Sequence, residues 1–468
     1  MKPGSKTGSG CGKTGQRNRS FLDDGRSLHQ GGRGRRSKSA YEIRAKFVLS
    51  MLDGIGKPLA AKTDHFESAC EEGRRFSVIK KESAEKILRL IPLSGEKIAW
   101  DGFADTLMQP IFSAMARTEQ NPEYHGEIDV FSHTKAVCEA LVRDPEYQKR
   151  SEREKTVLFL ASLFHDIGKI KCTVLEDGVY RSPNHGKIGS LMTREILWRD
   201  LGFCGSEEGR EIREAVCQLV RYHSYPTFAV SDTDFERRLL KIASGGELAK
   251  DFSISMLCIL ERADIIGRIS KDTEESLEKI AYCKMLAEDA GCAENPFSFA
   301  DDFSKRAYFK EKTDWKDQAL FRDTWGEVIL LSGLPGTGKD TWIAKNHPEM
   351  PVVSLDEIRK KLGILPTEKQ GAVIAAGYEE ARSYLRKQKP FIWNATNVTA
   401  QIRTAQISLF EQYGASVKTV FLETEWNEQL RRNAERKAKV PVSAIERMLS
   451  KLEMPERFES ESVVWEIV

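Results

Sequence analysis

Histidine and aspartate are concentrated in one stretch of the chain, where their types and spacing suit the binding of a metal ion. Five of the eight histidines lie between residues 125 and 223. Imidazole and carboxylate ligands together favour a divalent transition metal such as Mn, Fe, Co, Ni or Zn over calcium, which prefers oxygen ligands alone. The predicted metal ligands are His133, His165, Asp166, His185, His223 and Asp264. Such a site could form hydroxide near neutral pH and attack a phosphate ester.

The pair His165 and Asp166 follows an apolar helical run, TVLFLASLF, which could carry two ligands from the core into a cleft. We expect Gly168 to end this helix. Lys169 lies one helical turn after His165 and is predicted to neutralise a bound phosphate.

A second ion would need further ligands, and His185 and His223 are the candidates. With Asp166 as a bridge, two ions could clamp one phosphate, so sites for one ion and for two both remain open. His125 is predicted either to bind substrate or to be structural. Taken singly, each histidine is more often a core or surface residue than a ligand. The ordered set of His, His-Asp, His, His and Asp on separate predicted helices nevertheless resembles the HD superfamily of metal-dependent phosphohydrolases.

The segment GLPGTGKDT follows a predicted strand and opens a predicted helix, which is the setting of a phosphate-binding loop. Its predicted nucleotide-binding residues are Gly333, Gly336, Thr337, Gly338, Lys339, Asp340 and Thr341. Backbone N–H groups would surround the β- and γ-phosphates of ATP, and Lys339 would bridge them. Asp340 stands where Ser or Thr usually holds magnesium, and a carboxylate can hold magnesium instead. The similar GSGCGKT at residues 8–14 lacks the first glycine, a preceding strand and a following helix, so we reject it.

Charged residues after this loop favour a kinase over a motor protein or a GTPase. Asp356 and Arg359 form a D-x-x-R pair on one face of a predicted helix. Asp356 could act there as the general base for a hydroxyl group. Arg432 and Arg436 form an i,i+4 pair that could close over the nucleotide, with Arg431 as the next candidate. The alternative interpretation of this pair is a solvated basic helix face.

Two kinds of apolar periodicity divide the chain. Helical spacing predicts helices near 84–91, 130–142, 154–167, 187–198, 208–222 and 252–268. From residue 327 onward, strands near 327–332, 351–355, 390–395 and 417–423 alternate with helices, which indicates a parallel sheet. We therefore predict a multidomain fold with an N-terminal all-α HD domain (41–312), a linker (313–326) and a C-terminal α/β P-loop kinase domain with a parallel sheet (327–468).

Composition predicts the location of the protein and a basic tail. Hydrophobic residues make up 40% of the chain and no apolar run reaches the length of a membrane span, so we expect a cytoplasmic protein without a membrane contact. The nine cysteines contain no C-x-x-C pair and are interpreted as reduced and mostly structural. Residues 1–40 carry ten Lys or Arg and are predicted to be a disordered basic tail, which could aid nucleic-acid binding.

The order of phosphate loop, D-x-x-R, N-x-T-N at 394–397 and R-x-x-x-R resembles the 5′-OH polynucleotide kinase family over residues 327–468. A preceding HD domain makes the chain similar to the bacterial bifunctional HD-domain phosphohydrolase/5′-OH polynucleotide kinase enzymes, which heal broken strand ends. The resemblance implies that Lys339 and the loop hold ATP with Mg, and that Asp356 deprotonates the 5′-OH. It also implies that Arg359 binds the acceptor end and that Arg432 and Arg436 are lid arginines.

The same resemblance implies that the HD domain removes a 2′,3′-cyclic phosphate or a 2′- or 3′-phosphate. RNA ends are favoured over DNA ends because a 2′,3′-cyclic phosphate arises only from ribose. The sequence contains no K-x-D-G ligase motif, so sealing would need a separate ligase. Two alternatives remain open. One is a nucleotide-metabolism enzyme that pairs an HD nucleotide phosphohydrolase with a small-molecule kinase, and the other is an ATP-driven switch or nucleic-acid-binding module with a degenerate HD site.

Overall fold

The computed structural model describes residues 82–93, 95–121, 126, 129–365, 368–436 and 438–468. The predictions made for the basic tail, for residues 8–14 and for His125 lie outside these residues. Within the described part of the chain, every helix is too short or too polar to cross a membrane.

Helices packed around one apolar core form the N-terminal domain. Residues 82–89 are helical and are followed by α1 (Trp100–Ala104), α2 (Gln109–Met115), α3 (Val130–Arg143), α4 (Pro145–Lys149), α5 (Glu152–Phe164), α6 (Lys169–Cys172), α7 (His185–Glu195), α8 (Glu207–Tyr222), α9 (Tyr225–Phe228), α10 (Phe235–Ala243), α11 (Ile254–Gly267), α12 (Thr273–Asp289) and α13 (Asp302–Phe309). A capping box of Ser151 and Glu154 begins α5. This helix is buried from Lys155 to Phe164 and packs on α3, α8 and α11, as expected for a helix that is apolar all round.

A small antiparallel hairpin interrupts this helical domain, which is therefore not entirely α. Its strands are β1 (Val174–Glu176) and β2 (Val179–Arg181), between α6 and α7. Asp177 and Gly178 form the turn with φ values of 52° and 77°. Two consecutive positive φ values fit the tight hairpin turn that an Asp-Gly pair favours. That local signal was present in the sequence and was missed.

Five parallel strands form the sheet of the C-terminal domain. They are β3 (Glu327–Ser332), β4 (Val352–Ser354), β5 (Ile392–Asn394), β6 (Ser416–Glu423) and β7 (Ser462–Ile467), in the spatial order β4-β5-β3-β6-β7. The helices are α14 (Lys339–Asn346), α15 (Leu355–Leu362), α16 (Gly371–Leu385), α17 (Ala400–Gln412), α18 (Trp426–Glu435) and α19 (Val442–Leu449). The predicted alternation of strands and helices is confirmed.

The central strand β3 is buried on both faces. Val328 and Leu330 belong to one apolar cluster, and Ile329 and Leu331 belong to another. This arrangement explains the continuous apolar run EVILLS, because a parallel strand covered on both sides needs apolar residues at successive positions. The edge strand β7 was not predicted from the sequence. It pairs only with β6, and most of its side chains are half-exposed, so its pattern is mixed.

The two domains share an apolar interface. A short π-helix, Ile196–Asp200, carries Trp198 into it. Trp198, Cys204 and Leu248 of the N-terminal domain join a cluster with residues of the C-terminal domain, among them Leu334, Phe421, Trp426, Ile445, Leu449 and Leu452. Cys204 and Trp198 are fully buried there. The interface therefore resembles the interior of one domain rather than a wet contact between two.

Buried charges cross the same interface. The Arg213 guanidinium donates to Glu423 at 2.8 and 2.9 Å and lies 4.0 Å from the Trp198 ring centre. Arg213 and Arg194 both donate to Glu214, at 2.7 Å each. Arg194 also donates to the Leu452 carbonyl at 3.0 Å. Because Arg213 and Glu423 come from different domains, the cost of removing Glu423 from water is offset only while the two domains stay together.

Candidate active sites

Six side chains from five segments meet in the N-terminal domain, and they are the six predicted metal ligands. His133 lies on α3, His165 caps the end of α5, Asp166 follows it, His185 begins α7, His223 caps the end of α8 and Asp264 lies on α11. They form two groups of three, one of His133, His165 and Asp264 and one of Asp166, His185 and His223. Within each group, one candidate ligand atom per residue lies within 4.8 Å of the others.

Distances within each group are short. The Nε2 atoms of His133 and His165 are 3.3 Å apart, and His133 Nε2 is 2.9 Å from Asp264 Oδ1. The Nε2 atoms of His185 and His223 are 3.2 Å apart.

Asp166 lies between the two groups. Its Oδ2 is 3.4 Å from His165 Nε2 and 3.7 Å from His133 Nε2. Its Oδ1 is 3.6 Å from His185 Nε2 and 3.9 Å from His223 Nε2. One carboxylate oxygen therefore faces each group, which is the geometry that a bridging ligand requires.

The hydrogen bonds of the histidines fit a bound cation. Nδ1 of His165, His185 and His223 lies 2.8, 3.0 and 2.8 Å from the carbonyls of Ser162, Ser182 and Val220. A carbonyl only accepts, so each of these Nδ1 atoms carries a hydrogen and, in the neutral ring, each Nε2 presents a lone pair. The lone pairs of the half-buried His185 and the buried His223 then face each other across 3.2 Å, an arrangement that a shared metal ion relieves.

Electrostatics keeps the ligands in the forms that bind metals. Burial lowers the pKa of His223 to about 3, so that its ring stays neutral. Burial opposes the ionisation of Asp166, but Lys169 and His165 outweigh it and hold the pKa of Asp166 well below its usual value. The pKa of Asp264 is lowered in the same way by His133, against the effect of burial. The site therefore combines a neutral His223 imidazole with two ionised carboxylates, which are the forms in which these residues bind a divalent cation.

Gly168 has a different role from the predicted one. The α5 helix ends at Phe164. Gly168 has a φ of −61°, in the right-handed helical region, so it does not terminate the helix through a left-handed turn. A Cβ at this position would lie 2.0 Å from the His185 carbonyl oxygen and 2.7 Å from the Gly189 nitrogen. The glycine thus lets the segment after Asp166 approach the backbone of α7, which brings His185 close to Asp166.

Lys169 is placed beside the metal ligands, with one neighbour that the sequence did not reveal. Its Nζ is 2.7 Å from Asp166 Oδ2 and donates to Gln120 Oε1 at 2.7 Å. Gln120 precedes α3 and its side chain is buried. The only sequence signal was its position in the polar segment TEQNPEYHGEID, upstream of His133.

The phosphate loop of the C-terminal domain joins β3 to α14. Gly333, Gly336 and Gly338 have φ values of 145°, 88° and 83°, which favour glycine. A Cβ on Gly333 would lie 2.6 Å from the Leu422 carbonyl oxygen. Lys339 Nζ donates to the carbonyls of Gly333 and Leu334 at 2.9 Å each, and burial lowers its pKa to about 8.

Asp340 lies in the first turn of α14 and is exposed, as is Thr341. Asn394 at the end of β5 donates from Nδ2 to Asp340 Oδ1 at 2.7 Å. Asn397 is buried and donates to the Leu331 carbonyl at 2.6 Å. In the predicted NATN segment, Asn394 therefore contacts the helix that follows the phosphate loop. Asn397 connects the segment after β5 to the end of β3.

Asp356 and Arg359 lie on α15 as an ion pair. Arg436 is a second cation at Asp356, with an Nη2 to Oδ2 distance of 3.7 Å. The predicted helical pairing of Arg432 with Arg436 is wrong, because α18 ends at Glu435 and Arg436 is extended. Arg432 donates to Glu428 at 2.7 Å and its Nη1 lies 3.5 Å from the position of a Cβ on Gly338.

The third candidate arginine, Arg431, lies on the exposed face of α18. It donates to Glu428 and to Glu435, at 2.7 and 2.6 Å. Two of the three arginines, Arg432 and Arg436, thus flank the phosphate loop and Asp356, while Arg431 is held by surface carboxylates.

Comparison with family models agrees with this division. Residues 130–245 match a model described as an HD domain. Residues 328–455 match a model described as an AAA domain. The fold is thus a helical HD domain followed by an α/β P-loop domain with a parallel sheet of five strands. The chain combines a domain of the phosphohydrolase type with a kinase-like domain that has the loop for a nucleotide.

Proposed function

We propose that this protein heals broken nucleic-acid ends, with RNA favoured over DNA. The HD domain removes a 2′,3′-cyclic phosphate or a 2′- or 3′-phosphate, and the P-loop domain transfers phosphate from ATP to a 5′-OH. The observation that carries the proposal is the joining, in one chain and across a buried interface, of the six-ligand His/Asp cluster with a phosphate loop facing Asp356 and two arginines.

In the HD site, the chain's own residues bind and orient the phosphate. His133, His165 and Asp264 would hold one divalent transition metal ion, and His185 and His223 would hold a second, with Asp166 shared between them. When bound, the metal supplies a hydroxide source and positive charge at the phosphate. Lys169, fixed by Asp166, adds a cation that neutralises the phosphate oxygens.

In the kinase site, Lys339 exchanges two backbone carbonyls for the phosphates of ATP. Asp340 helps to hold Mg. Asp356 accepts the proton of the attacking 5′-OH, and its ion pairs with Arg359 and Arg436 hold the carboxylate in position. Arg432 and Arg436 neutralise charge on the transferring phosphoryl group.

The proposal is tested with one oligonucleotide. The full chain is incubated with Mn²⁺, ATP and an RNA strand bearing a 5′-OH and a 2′,3′-cyclic phosphate, and the products are resolved by mass. We expect gain of a 5′-phosphate and loss of the terminal cyclic phosphate. An unchanged strand, with mononucleotides consumed instead, would replace end healing by nucleotide metabolism. A DNA strand with a 5′-OH and a 3′-phosphate tests the preference for RNA.

A further inference from the structure

Gln120 is a buried amide held next to the HD metal ligands. Its side chain is only 7% exposed. Its Oε1 accepts from Lys169 at 2.7 Å, and Lys169 in turn lies 2.7 Å from Asp166. Two short contacts therefore connect this amide to the carboxylate that faces both groups of histidines.

The orientation of this amide follows from the chemistry of its neighbour. An ammonium group has donors and no acceptor, so only the carbonyl oxygen of Gln120 can face Lys169. Nε2 must then point away from Lys169. It is buried, and among the residues that the structure describes it has no hydrogen-bond acceptor. A buried donor without an acceptor destabilises the folded protein, which calls for an explanation.

We propose that Gln120 Nε2 donates to a non-bridging phosphate oxygen of the substrate, beside Lys169. Lys169 and Gln120 together form a subsite for a terminal phosphate monoester or a cyclic phosphodiester. Lys169 supplies the charge and Gln120 supplies direction, since an amide donates along fixed N–H bonds. The inference rests on the proposed phosphohydrolase function of the HD site and assigns it a further substrate-binding residue.

Two variants separate phosphate binding from support of Lys169. Gln120→Glu keeps an acceptor for Lys169 but replaces the N–H donors with a negative charge. Gln120→Met keeps the length of the side chain and loses both functions. If Gln120 only anchors Lys169, Gln120→Met weakens phosphate binding no further in a Lys169→Met background. If Gln120 binds phosphate, both variants lose phosphate affinity, and Gln120→Met loses it in the Lys169→Met background as well.

The probe is inorganic phosphate, titrated by calorimetry into the Mn²⁺-loaded full chain. All titrated proteins also carry Lys339→Ala, which weakens phosphate binding at the phosphate loop of the C-terminal domain. We expect phosphate to bind about tenfold to a hundredfold more weakly in both variants, the effect of losing one hydrogen bond to a charged group. Mn²⁺ content, measured by elemental analysis, should equal that of the wild type. Gln148→Met is the matched control, since Gln148 donates to the Val142 carbonyl in the same domain.

Three results overturn the inference: wild-type phosphate affinity in either variant, no further loss from Gln120→Met in the Lys169→Met background, or no phosphate binding by the parent protein. The titration uses no RNA and no turnover. A protein that binds phosphate through Gln120 but leaves RNA ends unchanged would therefore refute end healing while the phosphate subsite stands.

Discussion

The two candidate sites differ in how far the protein assembles them before a ligand binds. In the HD site, His133 and His165 are fully buried, and three of the imidazoles are fixed by carbonyls of a preceding turn. In the kinase site, the Asp356 side chain is 63% exposed and the nearby arginines are held by carboxylates of the protein itself.

The difference reflects the ligands that each site must accept. Buried rings with lone pairs facing one another gain from a small cation and need no movement to receive it. A kinase-like site must admit a nucleotide and an acceptor, so its charged side chains lie at the surface in ion pairs that are easily exchanged. Side chains held in fixed positions thus suit the binding of an ion at the HD site. Side chains that can exchange their ion-pair partners suit the binding of a substrate at the P-loop site.

The largest expected effect comes from Asp166→Asn. Because this carboxylate faces both groups of histidines, its loss should lower the phosphohydrolase rate by at least about a thousandfold. The 5′-kinase rate of the same preparation should stay within about twofold of the wild type. Asp356→Asn should give the reverse pattern. Rates of both reactions are measured on the oligonucleotide described above, and loss of both from one folded variant would contradict two separate sites.

The interface is tested with Arg213→Met. This change leaves Glu423 buried without its cation and should lower the free energy of unfolding by about 3–5 kcal/mol. Thermal unfolding is followed by calorimetry and by both activities, which should be lost together. Arg143→Met, which removes an exposed pair with Glu139, should cost less than about 1 kcal/mol. Loss of the kinase activity alone, at a lower temperature than loss of the phosphohydrolase activity, would show that the two domains do not unfold as one unit.

Proton uptake on ATP binding tests the protonation state of Lys339 in the phosphate loop. The pKa of Lys339 is lowered to about 8 without nucleotide, and phosphates should raise it because they favour the cation. At pH 9 the free lysine is mostly neutral, so ATP binding should take up nearly one proton, whereas at pH 7 it should take up almost none. Calorimetry in buffers of different ionisation enthalpy measures this uptake. Equal values at both pH values would mean that Lys339 is already fully charged.

The smallest expected effect is that of Glu428→Gln. Glu428 accepts from Arg431 and Arg432, and these contacts hold the pKa of Glu428 at about 2. Freeing the arginines should lower KM for ATP by up to about fivefold, because an exposed pair contributes at most about 1 kcal/mol. Glu435→Gln, which releases only Arg431, is the matched control. An unchanged KM would place Arg432 outside the nucleotide site.

The sequence was most informative where function is local. The P-loop glycines, Lys339 and the His165-Asp166 pair were recognisable because their spacing alone fixes their geometry. Confirmed predictions therefore include the helical domain followed by the parallel sheet, whereas the catalytic roles stay predictions.

Contacts between distant segments could not be predicted in this way. Gln120 lies 49 residues before Lys169, in a polar segment without periodicity. Nothing in the local sequence around Arg213 or Glu423 shows that both are buried. The helical spacing of Arg436 from Arg432 predicts that both lie on one helix. The α18 helix instead ends at Glu435, one residue before Arg436.

The buried pair of Arg213 and Glu423 also has a consequence for folding during biosynthesis. The two residues are 210 positions apart. At about 5–20 residues per second, the ribosome needs roughly 10–40 s to reach the glutamate after making the arginine. Until the end of that interval, the surface around Trp198 and Arg213 lacks the C-terminal residues that cover it. The nascent HD domain is therefore a natural client for a chaperone, and slow translation of the intervening segment would lengthen its exposure.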